Sequence, residues 1–354
     1  MMKLAVGTDK GLLIFKQAVN SEWVLADIHF IGMPIGAFHT DKNQHWWVAI
    51  NHKHWGPKVY VSANMGETFT EVNSPKFSTE SPFTLKSIWT IEFQNIGSIQ
   101  RLYLGAEPAA LFYSDDLGKS WNEMNGLSNH PSRASWQGGG KGSNSPFLHT
   151  VLSNSENENH LTVGISCAGV FQTYDRGITW QPTNTGLKAF FLPNTESIVG
   201  HDPHTICQSK LNSNVLWQQN HCGIYRSEDL GKTWQDITDH KGKAVYGFAM
   251  VIAEDNDLEA WVIPAQSDHL RIPHEQKLAV YYTKDAGQNW ESLENGLPNP
   301  AFDLVLRDAM DIKGNTLAFG TNNGNLYTSM DKGQHWTNIS QNLSAVRCVA
   351  FISE

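Results

Sequence analysis

One eight-residue phrase returns six times along the chain, and no other feature restricts its fold as tightly. It reads Ser114-Asp115-Asp116-Leu117-Gly118-Lys119-Ser120-Trp121, and it recurs around Asp175-Arg176-Gly177, Asp229-Leu230-Gly231, Asp285-Ala286-Gly287 and Asp331-Lys332-Gly333, with a weaker copy at Asn64-Met65-Gly66. The six glycines stand 46 to 59 residues apart, a period expected of blade-like repeats. Each copy follows an alternating apolar run such as Gly223-Ile224-Tyr225 and precedes another strand, so it is read as the turn of a β-hairpin. The residue types suit a turn. The Asp carboxylate accepts bonds from turn N–H groups, the glycine takes positive φ, and the Trp supplies apolar area between layers.

Two more strands can be read before each phrase. Trp46–Ile50, Leu102–Gly105, Leu161–Gly164 and Leu317–Gly320 form one set, and Ile88–Ile91, Phe147–Val151 and Val305–Met310 lie upstream of their partners. That makes four strands, A to D, per repeat. The start of the chain supplies a seventh copy without the phrase: Leu4–Gly7, Leu12–Phe15 and Trp23–Leu25 read as its B, C and D strands, and Val346–Phe351 as its A strand. The expected fold is therefore an all-β, seven-bladed β-propeller of four-stranded blades in a single domain spanning residues 1–354. The C-terminal strand joins the N-terminal blade and removes an exposed sheet edge. The blades are expected at 1–29 plus 344–354, 35–73, 84–125, 146–184, 201–238, 243–294 and 302–340. A six-bladed ring with an extra N-terminal hairpin is the alternative.

The phrase S/T-x-D-x-G-x-T-W resembles the Asp-box (BNR) repeat, the motif of sialidase-type β-propellers often labelled glycosyl hydrolases, and the resemblance extends over nearly the whole chain. It implies fold more than function, because similar boxes occur in xyloglucanase propellers, sortilin-type receptors and a photosystem assembly propeller. It also implies that strand A is innermost and that ligands bind on the face made by the D–A and B–C connections, opposite the boxes.

The balance of 26 Lys+Arg against 35 Asp+Glu, with no basic cluster, argues against nucleic acid or an anionic membrane as partner. No run of eighteen apolar residues is present, and Met1–Asp9 has no apolar region of the kind a secretory signal needs. Four scattered cysteines without C-x-x-C spacing suit a reducing compartment. A cytoplasmic protein is expected.

Chemistry is sought in two columns on the face opposite the boxes. Aligned on a following Thr, the A strands offer His39, Trp89, His149 and His204, with Arg307 and Arg347 in later repeats. The B–C connections offer His52 and His54, Glu107, Cys167, Asn220 and His221, then an enlarged loop holding Asp268, His269 and Arg271. Histidines converging from several strands suit a divalent metal, because neutral imidazole is a common ligand and such a site keeps a position open for water or substrate. The expected ligands are His39, His149 and His204 with His221 or His52, holding zinc or iron, with manganese also admissible. Glu107, Asp308, Arg307 and Asp268 are the candidate catalytic groups, and Trp89, Arg271, Arg347, Asn220, His54 and His269 the candidate substrate contacts. A sialidase would need three arginines on the substrate carboxylate, which Arg271, Arg307 and Arg347 could supply, together with a Tyr/Glu nucleophile pair and an Asp acid. The expected function is a hydrolase or lyase acting on a small polar or sugar-like substrate. A metal-free glycosidase and a non-catalytic binding scaffold for glycan, peptide or protein remain as alternatives. The long connections 126–145 and 186–200, with the loop around Asp268, are read as walls or a lid over the same face.

Overall fold

The computed structural model describes residues 2–19, 21–138 and 145–352. Residues Gly139 to Gly142 of the glycine run lie outside them. Strands account for nearly all regular structure, and among the described residues the helical elements are single turns at Asn125–Ser128, Arg133–Ser135 and His274–Gln276. Among the described residues no helix is long and apolar enough to cross a membrane.

The strands form seven four-stranded antiparallel sheets, which is the all-β seven-bladed propeller that the repeats imply. The first sheet joins both ends of the chain in the order Val346–Ile352, Lys3–Thr8, Gly11–Gln17, Trp23–His29. Val349 pairs with Val6 and Ile352 with Lys3. The N-terminal hairpin is thus part of a complete blade, and the six-bladed alternative fails.

Cover on both faces explains why the B strands build the core. Leu161–Ile165, Leu216–Asn220, Ala260–Pro264 and Thr316–Gly320 are buried at every position, as strands covered on both faces must be. Paired registers place Trp46, Leu102, Leu161, Leu216, Ala260 and Leu317 opposite the Ser or Thr that opens each box. The next residue along is Trp47, Tyr103, Trp217 and Trp261 in four blades, all fully buried. The outer D strands are short, two to four residues in blades two to seven.

The chain makes two compact units. Residues 33–184 and 197–203 form one, which contains blades two to four. Its core includes Trp47, Ile88 and Leu104 in one cluster and Leu148, Val163 and Phe171 in another. Residues 1–32, 185–196 and 204–354 form the other, with blade one and blades five to seven, and its largest cluster runs through Leu4, Trp261, Phe319 and Val349.

The boxes repeat one hydrogen-bond pattern, shown here by the one at Asp229. Ser227 Oγ accepts the Gly231 N–H at 2.8 Å and donates to Asp229 Oδ1 at 2.7 Å, and Asp229 accepts the N–H and hydroxyl of Thr233 at 2.9 and 2.7 Å. Gly231 has φ +78 and the residue before it, Leu230, φ +64, so the turn needs a residue without Cβ at its tightest point. Box tryptophans tie neighbouring blades together: Trp121 Nε1 donates to Asn73 O at 2.6 Å and Trp290 Nε1 to Ile237 O at 3.1 Å.

Candidate functional site

The A strands carry a bulge at a fixed place, and the bulge decides which side chains are equivalent. In blades three and four it falls at Trp89 and His149, and in blade six at Phe248. In blade two it falls at Gly36, between Ile35 and Ala37. His39 therefore does not share the position of Trp89 and His149, although Thr40 follows it as Thr90 and Thr150 follow them; it lies three residues farther along its strand. The equivalent position takes glycine because a Cβ there would lie 2.2 Å from Asn51 Nδ2. That amide donates to Ile88 O at 2.9 Å while Asn51 Oδ1 accepts the Ile88 N–H at 2.8 Å, clamping blade two to blade three.

Blade five assembles the densest chemistry. Asp202 and His204 flank Pro203 where its A strand begins, and a two-residue spacing on extended chain turns both side chains to one side. His221 stands in the turn between its B and C strands. The three place a carboxylate oxygen and two ring nitrogens within 4.8 Å of one another, the one such group among the described residues. His204 is buried, and its Nδ1 lies 2.6 Å from Gly247 O, a bond that puts the proton on Nδ1 and the lone pair on Nε2. A metal-binding imidazole is usually anchored in that way. Asp202 is also buried and oriented, with Oδ1 accepting the Ser166 hydroxyl at 2.8 Å and the Cys167 N–H at 3.1 Å. Two imidazoles and a carboxylate make a donor set suited to zinc or non-haem iron.

An aromatic platform supports the histidines. His204 stacks on Phe248 at 4.5 Å and meets His221 edge-on at 5.6 Å; Tyr246 approaches His221 at 5.3 Å. Phe191, from the long 186–200 connection, packs against His221 at 5.1 Å, so this connection does wall the site. The guanidinium of Arg271 lies 5.3 Å from the centre of the Phe248 ring and that of Arg307 5.2 Å. Asp268 accepts bonds from Arg271 and, at 3.4 Å, from the Tyr246 hydroxyl. Partial burial opposes ionisation of Asp268, but the Arg271 bond and charge, with His221 adding, hold its carboxyl below the usual range.

The other expected residues have partners of their own. His39 Nε2 is 3.7 Å from Glu92, whose carboxyl burial pushes up to about 7 although Ser153 donates to it. His149 Nδ1 contacts Thr150 Oγ1 at 2.9 Å. His52 Nδ1 accepts the N–H groups of His54 and Trp55, both at 3.1 Å, which makes it a turn-closing group. Glu107 accepts Trp89 Nε1 and the Ser145 hydroxyl, each at 3.3 Å, and Trp89 stacks on Phe147 at 4.0 Å. Asn220 is buried and caps its own turn by accepting the Cys222 N–H. His269 is exposed at its loop tip. Arg347 makes a two-pronged pair with Asp9 at 2.6 and 2.7 Å, so of the three arginines expected of a sialidase, two converge on Phe248 and the third closes blade one. Asp308 is exposed at its surface, while the protein crowded beneath it pushes its carboxyl upward against the opposing charge of Arg307. In the 126–145 connection, Leu127 and Trp136 are buried in a core cluster with Leu148 and Phe171, so the described part of that segment is packed rather than a lid. Asp202 and Phe248 were not among the expected site residues; the D-x-H spacing before the A strand was the available signal for the first.

A family model described as BNR-Asp box repeat matches residues 224–237, which bracket the Asp229 box. That stretch of the chain is a BNR-Asp box repeat. No curated protein matches its sequence. Solved structures do match the chain. The periplasmic gluconolactonase PpgL of Pseudomonas aeruginosa aligns at 11% identity over 99% of both chains, with a TM-score of 0.60. An ancestral GH74 enzyme aligns at 16% identity over 90% of this chain, with a TM-score of 0.59, and the chain spans only 38% of that enzyme's length. YCF48 bound to D1 peptide aligns at 16% identity, 86% of this chain and 81% of that one, with a TM-score of 0.56. At such identities the likeness is one of fold, and the fold serves both enzymes and a peptide-bound protein.

Proposed function

We propose that the chain is a hydrolase of a small, polar, sugar-like substrate, with a divalent metal held by Asp202, His204 and His221. The observation that carries this reading is the convergence of those three donor atoms within 4.8 Å. Hydrolases among the structures that share the fold lend it support. A bound ion would supply Lewis acidity and a water acidic enough to act as nucleophile near neutral pH. The chain's own groups orient and hold. Gly247 O keeps the His204 lone pair on Nε2, Ser166 and Cys167 fix the Asp202 carboxylate, and Phe191 shields His221 from bulk water. Tyr246 and the ionised Asp268 border the same space and can take hydrogen bonds from substrate hydroxyls.

The reading is tested by elemental analysis of the untagged chain. About one zinc, iron or manganese per chain is expected, lost from a folded His204→Ala/His221→Ala double variant and kept in His39→Ala. A metal-free chain with no affinity for added ions would overturn it, and loss of the ion in His39→Ala would move the site elsewhere.

A binding scaffold is the second reading, favoured by Phe191, 46% exposed beside His221, and by its chain neighbour Phe190, 67% exposed. It predicts a metal-independent ligand whose binding a Phe190→Ser/Phe191→Ser variant abolishes.

A further inference from the structure

We infer that the outer strand of blade one, Trp23–His29, is a docking edge for an extended peptide segment that alternates apolar residues and carries a lysine or arginine opposite Asp27. The six other outer strands are blunted. They run two to four residues, and Thr70–Val72, Asn122–Glu123, Gln181–Pro182, Gln235–Asp236, Glu291–Leu293 and Thr337–Ser340 are mainly polar. Shortness, charge and proline keep a sheet edge from pairing with another chain. Blade one departs from the others in both length and polarity. Its outer strand has seven residues, and Val24, Leu25 and Ile28 are 39%, 47% and 47% exposed. The sequence shows why. Blade one has no box of its own, and the box that follows it carries Phe69 in place of Trp. In blades three and six the box Trp gives its N–H to a carbonyl just past the preceding outer strand, at Asn73 and Ile237. A phenyl ring has no N–H to give.

Charge and backbone shape choose the occupant. Asp27 is exposed, and residues 22–31 contain no Lys or Arg. Its cross-strand neighbour is Ile14, while the lysine of that neighbouring strand, Lys16, lies opposite Val24. A basic residue on an added strand would therefore meet an acidic edge, and opposite charges across a strand pair are favourable. A second copy of this chain fits less well. Paired about the middle of the strand, it would set Asp27 against Leu25, Ala26 or the other Asp27, and none of these is a cation. Ala26 is also an extra residue, since the register passes from Ile14 with Asp27 to Phe15 with Leu25. Such a bulge bends and twists its strand, which suits a short adaptable segment better than the rigid edge of another propeller. In strand addition the main-chain bonds supply affinity and alternate side chains supply selectivity. Val24, Ile28 and Asp27 would fill the second role here.

Fluorescence anisotropy of a labelled hexapeptide, Thr-Val-Lys-Val-Thr-Val, titrated with the full chain tests this beside a twin that has Glu in place of Lys. The lysine probe is expected to bind about two- to fivefold more tightly than its twin, the range of one cross-strand charge pair. Asp27→Lys should invert that order, with circular dichroism guarding against loss of fold. Methylating one set of alternate backbone nitrogens in the lysine probe should weaken it about tenfold, and methylating the other set should change little, because an added strand turns only one set toward the edge. Hydrogen exchange at 23–29 should slow when the probe is added. No binding, equal affinity for the twins, an unchanged order in folded Asp27→Lys, or an equal response to both methylation sets would each overturn the inference. Loss of binding in Phe190→Ser/Phe191→Ser would overturn it too, by putting the probe beside the blade-five site. A concentration-dependent dimer abolished by Asp27→Lys would make a second copy the occupant and sink the peptide.

Discussion

The box hairpins and the B–C turns are both two-strand connections in the same blades, yet they have been shaped in opposite ways. In every box the opening hydroxyl accepts the glycine N–H at nearly the same distance, from Ser62 Oγ to Gly66 N at 2.8 Å to Ser329 Oγ to Gly333 N at 2.8 Å. No two described B–C turns are closed alike. His52 Nδ1 caps blade two, Asp202 reaches the N–H of Cys167 in blade four, Asn220 caps blade five, and Thr321 with Asp303 and Asn325 locks blade seven. Repetition marks the turns that hold blades together, and variety marks the turns left available for chemistry. Histidine and aspartate accordingly do structural work in one set and approach donor-set geometry in the other.

The contrast can be broken at its strongest point by removing residues 346–352. That deletes the innermost strand of blade one and uncovers apolar groups on both sides of it. Val346, Val349 and Ile352 are buried, and each such side chain contributes about 1.5–3 kcal/mol. Against a usual total of about 5–15 kcal/mol, the truncated chain is expected to lose its cooperative thermal transition. A sharp melt would show that the blade is dispensable.

A smaller effect sharpens the role of the boxes. Asp229→Ala leaves the Thr233 N–H and two hydroxyls without their acceptor and is expected to cost about 1–3 kcal/mol in denaturant titration. Asp229→Asn should cost much less, because the box at Asn64 already works with an amide: its Oδ1 accepts the Ser62 hydroxyl and the Thr68 N–H, and its Nδ2 donates to Thr68 Oγ1. Equal losses in the two variants would mean that charge, and not bond geometry, is what the turn requires.

The smallest effect is one of pH. Hydrogen bonds from Ser120, with Ser114 adding, hold the Asp116 carboxyl down at about 2, and Asp175, Asp229, Asp285 and Asp331 are lowered in the same direction by their box partners against the opposing effect of burial. A carboxyl depressed on folding stabilises the chain fully above its unfolded value of about 3.9 and loses that contribution as pH falls through the folded value. The thermal midpoint should therefore drop between about pH 4 and pH 2. An Asp116→Asn variant should show a shallower drop, and a slope identical to the parent's would remove this box from the acid response.

How much could be read in advance follows from the same contrast. The boxes repeat, so six hairpins, the blade period and the closing strand were all legible, down to the pairing of Val346–Phe351 with the first blade. The site was legible in part. Two histidines picked out in the sequence, His204 and His221, stand in one donor group with Asp202, but alignment on a following threonine puts His39 in line with Trp89 and His149. A bulge is a backbone event with no fixed residue signature, and Gly36 carries it in blade two for the sake of the Asn51 clamp. Ring stacking across blades, such as His204 on Phe248, leaves no mark in a linear pattern either.

The blade made from both ends of the chain has a consequence for synthesis. Residues 9–345 are all translated between Lys3–Thr8 and its partner strand Val346–Ile352, so the polar backbone edge of the first strand waits while they are made. At roughly 5–20 residues per second this is about 20–70 s with an open strand edge beside a nascent apolar hairpin. The cell must therefore keep that edge from pairing with other chains until the ribosome has delivered its partner.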